Sequence, residues 1–334
     1  MKAKVLQLAL ATALAATAQG AFAQAGGEPT TATPTGPNEI AGAKENFDPV
    51  YNVCRGTDPR CYHPWVDNRQ NKVLLYTRTA GPRHQNLGPA MAAGTNPPLS
   101  AGHVLQNAIF AWMAEQGVAV DWTEDVTRLT SLNQYKAVIF ASTSRDTLFK
   151  HGTAISPTSA VNTTTGAHLD SGKTALRQYI RAGGGFVGIH NAFGTEYNWP
   201  WYEGLLGNAN YYDHGANQDG MVKIVASDSS TAGIGNFPFK DEWYNLVPFP
   251  TRVKFLANVD ENSLATRRTT HPGHGNFHPV SWCQYYDGGR SWVTTLGHDG
   301  RAFTDGSGFP GQQEFKRHIV NGILSAMGNV PFCQ

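Results

Sequence analysis

Four short apolar runs constrain this chain more than anything else in it. They are "KVLLYT" from Lys72, "VAVDWT" from Val118, "KAVIFAS" from Lys136 and "GGGFVGIH", which ends at His190. Runs that are apolar on both sides of the pleat belong to a parallel sheet covered on both faces, not to a sheet with one wet face. Between the first two runs, Val104, Leu105, Ala108, Ile109, Trp112 and Met113 follow helical spacing, with Ser100 as the predicted cap and Gly117 as the stop. A second helix is predicted over Lys173–Ala182, just before the fourth run. Strand, helix, strand, helix is the pattern of a doubly wound α/β sheet.

Later segments extend the pattern. "MVKIVA" and "RVKFLANVD" read as further strands, and "VSWCQYY-DGG-RSWVTTLG" as a hairpin. A closing helix from Gln312 to Met327 puts Phe315, Ile319, Ile323 and Met327 on one face. Upstream, Lys2 and Lys4, an apolar run and the small residues Ala21 and Ala23 predict a signal peptide over residues 1–23. The mature protein is therefore expected in the periplasm or secreted, and the lack of another long apolar run predicts no membrane insertion. Residues 24–46 read as a flexible linker, residues 47–71 as an irregular extension around the domain edge, and residues 72–334 as the main α/β domain.

Export bears on the four cysteines. An oxidising compartment favours pairing, and the expected bridges are Cys54–Cys61 and Cys283–Cys333. A net charge of +1 with no basic block argues against nucleic acid as a partner.

Ligands of doubly wound sheets bind beyond the carboxyl ends of the strands. Arg78, Arg83 and His84 follow the first run, and "STSRD" follows the third. His190 closes the fourth run, with His214 downstream, and His298 and Asp299 follow the hairpin. Histidines gathered at one edge point to a site. His190 there can serve as base, acid or metal ligand, or it can be a buried histidine bonded to a carbonyl. There is no G-x-S-x-G elbow. In "DEWY", Glu242 is the candidate base or metal ligand and Asp241 a candidate helix cap. In "HPGHGNFHP", His271 and His274 read as exposed loop residues, whereas His278 stands before a strand. Trp199, Trp201 and Tyr202 offer flat faces on which sugar rings stack, or else they anchor their own loop.

Taken in order, "VLLYTRTAGPRH", "GGGFVGIHNAFGTEYNWPWYEGLLG", "DEWY", "HPVSW" and "GGRSWVTTLGHD" resemble the ThuA-like (trehalose-utilisation) family across about residues 72–327. The resemblance implies a class I glutamine amidotransferase-like, flavodoxin-like fold without the catalytic cysteine, His190 occupying that turn. It also implies sugar catabolism, 3-keto-disaccharides included. A ketone at C3 acidifies the C2 proton, so the chemistry needs a base, an acid and positive charge near the enolate oxygen. The expected catalytic residues are His190, Glu242, His298 and His84. The expected substrate-binding residues are Arg83, Trp201, Tyr202, His214 and Tyr244. No organic cofactor is required; a divalent metal is the alternative electrophile, with His190, His214 and His298 as candidate ligands. The expected partner is a small-molecule or oligosaccharide substrate, turned over by a lyase, isomerase or hydrolase; the alternative is a non-catalytic carbohydrate-binding protein.

Overall fold

A computed structural model describes residues 45–66, 68–148, 171–266 and 271–334. The predicted leader, nearly all of the predicted linker and most of the long loop after "KAVIFAS" lie outside the described residues.

The apolar runs become β3 (Gln70–Tyr76), β4 (Ala119–Thr123), β5 (Tyr135–Ala141) and β6 (Gly185–Ile189). Alternation places Val73 and Leu75 in one buried cluster and Leu74 and Tyr76 in the other, so both faces of the strand are covered. The hairpin forms from β10 (His278–Tyr286) and β11 (Gly289–Thr294). Strands β4-β3-β5-β6-β11 pair in parallel in that order, which is the flavodoxin-like arrangement with β11 in fifth place. Beyond β11 the sheet continues antiparallel through β10, β9 (Lys254–Val259), β7 (Tyr211–Ile224) and β8 (Phe237–Leu246). Helix α1 (Val104–Ala114) buries Leu105, Ile109, Trp112 and Met113 in the first cluster, beside Phe315, Ile319 and Ile323 of α4 (Gln312–Met327). Helix α2 (Ser171–Arg181) and the short α3 (Pro200–Leu205) serve the second cluster with Leu176, Ile180, Trp201, Tyr202 and Leu205.

Several expectations are corrected. Helix α1 starts at Val104 behind His103, and Ser100 instead bonds the His103 ring through both its amide and its hydroxyl. Residues 47–71 are not wholly irregular: β1 (Phe47–Asp48) pairs with β2 (Val53–Gly56), and β2 joins β10. "MVKIVA" is only the end of the 14-residue β7, and "DEWY" lies inside β8. His274 is half-buried, its Nε2 accepting from the Leu246 amide, while Glu261 accepts from the amides of His274 and Gly275.

Both disulfides form as expected, Cys54–Cys61 and Cys283–Cys333. The second closes a separation of 50 residues and ties the C-terminal tail to β10. Loop entropy assigns it about 4 kcal/mol, against about 2 kcal/mol for the short bridge. A Cys283→Ser/Cys333→Ser protein is therefore expected to unfold in urea with a loss approaching that larger figure. A loss no greater than that of the Cys54→Ser/Cys61→Ser protein contradicts the ranking.

His318 of α4 is buried between the Ser230 carbonyl and the Ser281 hydroxyl, and burial lowers its pKa to about 4. A depressed histidine gives stability that is complete above its unfolded value of 6.5 and is lost as pH falls toward about 4. The loss amounts to roughly 3 kcal/mol at most. His318→Gln is expected to flatten the stability–pH curve between pH 6.5 and 4 by about one proton. An unchanged slope in urea titrations over that range rules this out.

Candidate active site

His190 is the first residue after β6 and has a left-handed backbone, φ 51°. That conformation costs a side-chain-bearing residue about 1–2 kcal/mol, so the fold holds this ring in place at a cost. Its Nδ1 lies 2.8 Å from the Thr295 carbonyl oxygen just past β11. A carbonyl only accepts, so Nδ1 carries the proton and Nε2 presents a lone pair. That Nε2 is 2.9 Å from the Tyr244 hydroxyl and 3.1 Å from His84 Nε2. His190 has no exposed surface. Burial, then the neighbouring His84 and His298, push its pKa well below the ordinary value and keep it neutral.

His84 follows β3 at the start of the turn Gln85–Leu87. Burial and then His298 lower its pKa to about 4, and its Nδ1 is buried without a hydrogen-bond partner. Asn86, two residues on, donates to the carbonyls of Gly297 and His298 and so ties this loop to the one after β11.

Glu242 projects from β8, and its Oε2 is the hub of the site. It lies 3.2 Å from His298 Nδ1, 3.6 Å from His214 Nε2 and 3.9 Å from His190 Nε2. The His298 contact falls outside good hydrogen-bond geometry and becomes an ion pair when His298 is protonated. Burial opposes charge on both partners, yet each outweighs that penalty for the other: the Glu242 pKa is lowered and the His298 pKa raised. The His214 Nδ1 donates to the Gly215 carbonyl at 2.6 Å, which turns its Nε2 toward Glu242.

Asp241 caps no helix. Its buried carboxylate accepts from the amides of Glu242, Gly297 and His298 and locks the turn that carries His298 onto β8. Burial pushes its pKa up to about 7, against the pull of those amides. Gly297 sits at φ 127°, in the left-handed region, within this lock. Behind Tyr244, His278 bridges the Tyr244 carbonyl and Glu261.

Donor atoms of His84, His190, Glu242 and His298 thus lie within 4.8 Å of one another. A cleft of about 770 Å³ opens beside them, bordered by Arg83, His84, Asn217, His298, Asp299 and Arg301. The His214 and His298 side chains each keep 29% exposure, whereas His190 keeps none.

Two expected substrate contacts fall elsewhere, and a third is already engaged. Trp201 is buried, stacks on Trp199, meets Tyr286 edge-on and donates its indole N–H to Asp287 at 2.8 Å. Tyr202 is fully buried and bonds the Ala192 carbonyl. The loop is anchored by its own aromatics because α3 turns them onto the second core cluster, where the indole N–H finds a carboxylate. Arg83 borders the cleft, but its guanidinium is committed to the carbonyls of Leu87, Gly88 and Pro89 and to Glu124. Tyr244 is at the site, behind His190 and buried. Among the metal candidates, His190 and His298 belong to the donor cluster, His84 joins them, and His214 stands outside it. Sequence reasoning missed Asp241 as the lock and Asn86 as the loop tie; the Asp-Glu pair in "DEWY" was the one visible hint of the former. No catalytic thiol exists, since all four cysteines are bridged.

Residues 72–326 match the model of the ThuA family, described as trehalose utilisation. No curated protein matches this chain in sequence. Among solved structures, a ThuA-like protein from Bacteroides uniformis aligns over 77% of this chain and 91% of its own, at 18% identity and TM-score 0.50. One from Parabacteroides merdae aligns over 77% and 90%, at 14% identity and TM-score 0.51. These likenesses speak for the fold, which is α/β with the flavodoxin-like strand order already described. With the family match running from β3 into the closing helix, the chain belongs to the ThuA (trehalose utilisation) family.

Proposed function

We propose that the protein is an exported enzyme of sugar catabolism that transfers protons on a glycoside, specifically a 3-keto-glycoside. One observation carries the reading: four ionisable side chains from four separate segments meet beside a cleft at the carboxyl end of the parallel strands. Membership of a carbohydrate-related family supports the substrate class.

The roles follow from the partners of each group, with His84 and His298 bordering the cleft. His214, partly open, takes the C2 proton on its Nε2. The electrons form an enolate with C3, and the C1–O bond then breaks with its pair leaving on oxygen, so that a C1=C2 double bond remains. The departing oxygen takes the proton held between Glu242 and His298. Water adding to the double bond turns this lyase reaction into a net hydrolysis. His190 and Tyr244, buried and bonded to each other, orient these groups.

A 3-keto-glucoside and its parent glucoside, each with a chromophoric leaving group, test the reading. Release from the keto sugar alone is expected. Release from neither, with the sugar bound unchanged, makes the protein a carbohydrate-binding protein instead. The two disulfides support export into an oxidising compartment. N-terminal sequencing of periplasmic material is expected to begin at Gln24, and a start at Met1 there refutes export by this leader.

A further inference from the structure

We propose that His84, His190, Glu242 and His298 bind one divalent transition-metal ion. The donors come from the loop after β3, the end of β6, strand β8 and the loop after β11, and they converge although no chain segment supplies two of them. Around a tetrahedral ion with metal–nitrogen bonds of about 2.0–2.1 Å, neighbouring donors stand roughly 3.3 Å apart. Here His84 Nε2 and His190 Nε2 are 3.1 Å apart, and Glu242 Oε2 is 3.2 Å from His298 Nδ1 and 3.9 Å from His190 Nε2. The set therefore stands near coordination spacing before any ion enters.

Outer contacts point the same way. The Thr295 carbonyl fixes the tautomer of His190 by taking its Nδ1 proton, which is the arrangement that aims a ligand lone pair at a metal. His84 Nε2 faces that lone pair. With the Tyr244 hydroxyl also at His190 Nε2, two polar groups compete for one lone pair. A cation at the centre receives the Nε2 pairs of both rings, and the Tyr244 hydroxyl gives way. Three imidazoles and one carboxylate select zinc, iron, cobalt, nickel or manganese over calcium or magnesium, which take oxygen donors. His214 stays outside the donor set and keeps its Nε2 for proton transfer.

The use of the ion rests on the sugar chemistry proposed above, although its binding does not. That chemistry needs positive charge at the C3 oxygen, which Arg83 does not supply because its guanidinium is committed elsewhere. With Glu242 and His298 as its ligands, the ion would polarise the C3 carbonyl, and the departing oxygen would take the proton that His214 removes from C2.

The test uses the mature chain stripped with a chelator and titrated with Co²⁺, followed by the visible spectrum and by metal analysis after gel filtration. One equivalent with a four- or five-coordinate cobalt spectrum is expected. His84→Gln and Glu242→Gln, at partly open positions, are each expected to weaken Co²⁺ binding at least tenfold, with circular dichroism showing the native fold. Failure of the wild-type chain to retain cobalt overturns the proposal, and so does undiminished binding by both folded variants. The two readings separate cleanly. A stripped protein that binds no cobalt yet turns over the 3-keto-glucoside keeps the function and loses the metal; a protein that binds cobalt without turnover does the reverse.

Discussion

A His190→Asn protein is expected to lose turnover by about 10²-fold while remaining folded, because the buried ring that orients the proton-transferring groups is gone. Asparagine is chosen because it tolerates the left-handed backbone that His190 adopts at φ 51°. The substitution then removes the imidazole without adding strain at the end of β6. What goes is the Nε2 lone pair, together with the Nδ1–H donor that the Thr295 carbonyl uses. A buried carbonyl left without its donor costs about 1–3 kcal/mol, which urea unfolding will show. Turnover within twofold of wild type, in a protein of near-native stability, removes His190 from the site.

The second large effect is on stability. Trp201→Ala is expected to destabilise the fold by about 3–5 kcal/mol, because it empties a core position and leaves Asp287 without the indole N–H. Asp287 also faces Arg177 and Arg181, so Trp201→Phe, which keeps most of the ring, is expected to cost less, about 1–2 kcal/mol. The Phe protein should bind substrate with an unchanged KM. A Trp201→Ala protein of full stability with a raised KM returns the indole to the cleft wall and contradicts its place in the core.

These two residues also mark what the sequence discloses. His190 was legible because a strand end is a topological position: the apolar run, the glycines before it and the parallel sheet together fix which edge its ring occupies. The same rule gathered His84 and His298, and the continuous apolar strands, the closing helix and both disulfides were equally open to reading. Trp201 was not, since an aromatic loop beside a site has one sequence pattern whether it faces sugar or core. The deciding partner, Asp287, stands 86 residues away. The β7–β8 hairpin was hidden for another reason. Its polar stretch around Asn217–Asp219 and its register shifts after His214 break the period-two pattern that announces a strand. Glu242 was therefore placed by its chemistry alone, and the role of Asp241, satisfied by amides 56 and 57 residues on, went unread. Arg83 shows the limit of charge as a guide, because its guanidinium was spent on neighbouring carbonyls that every chain possesses.

The most direct measurement of the central claim is proton NMR of a 3-keto-glucoside in D₂O with the mature protein. Removal of the C2 proton by the clustered side chains predicts loss of the C2–H signal at an enzyme-dependent rate, accompanied by release of the C1 substituent. The His190→Asn protein should slow both by the same large factor. A C2–H signal that persists while the C1 bond is cleaved, or a sugar that stays intact beside a folded, substrate-bound protein, contradicts the account.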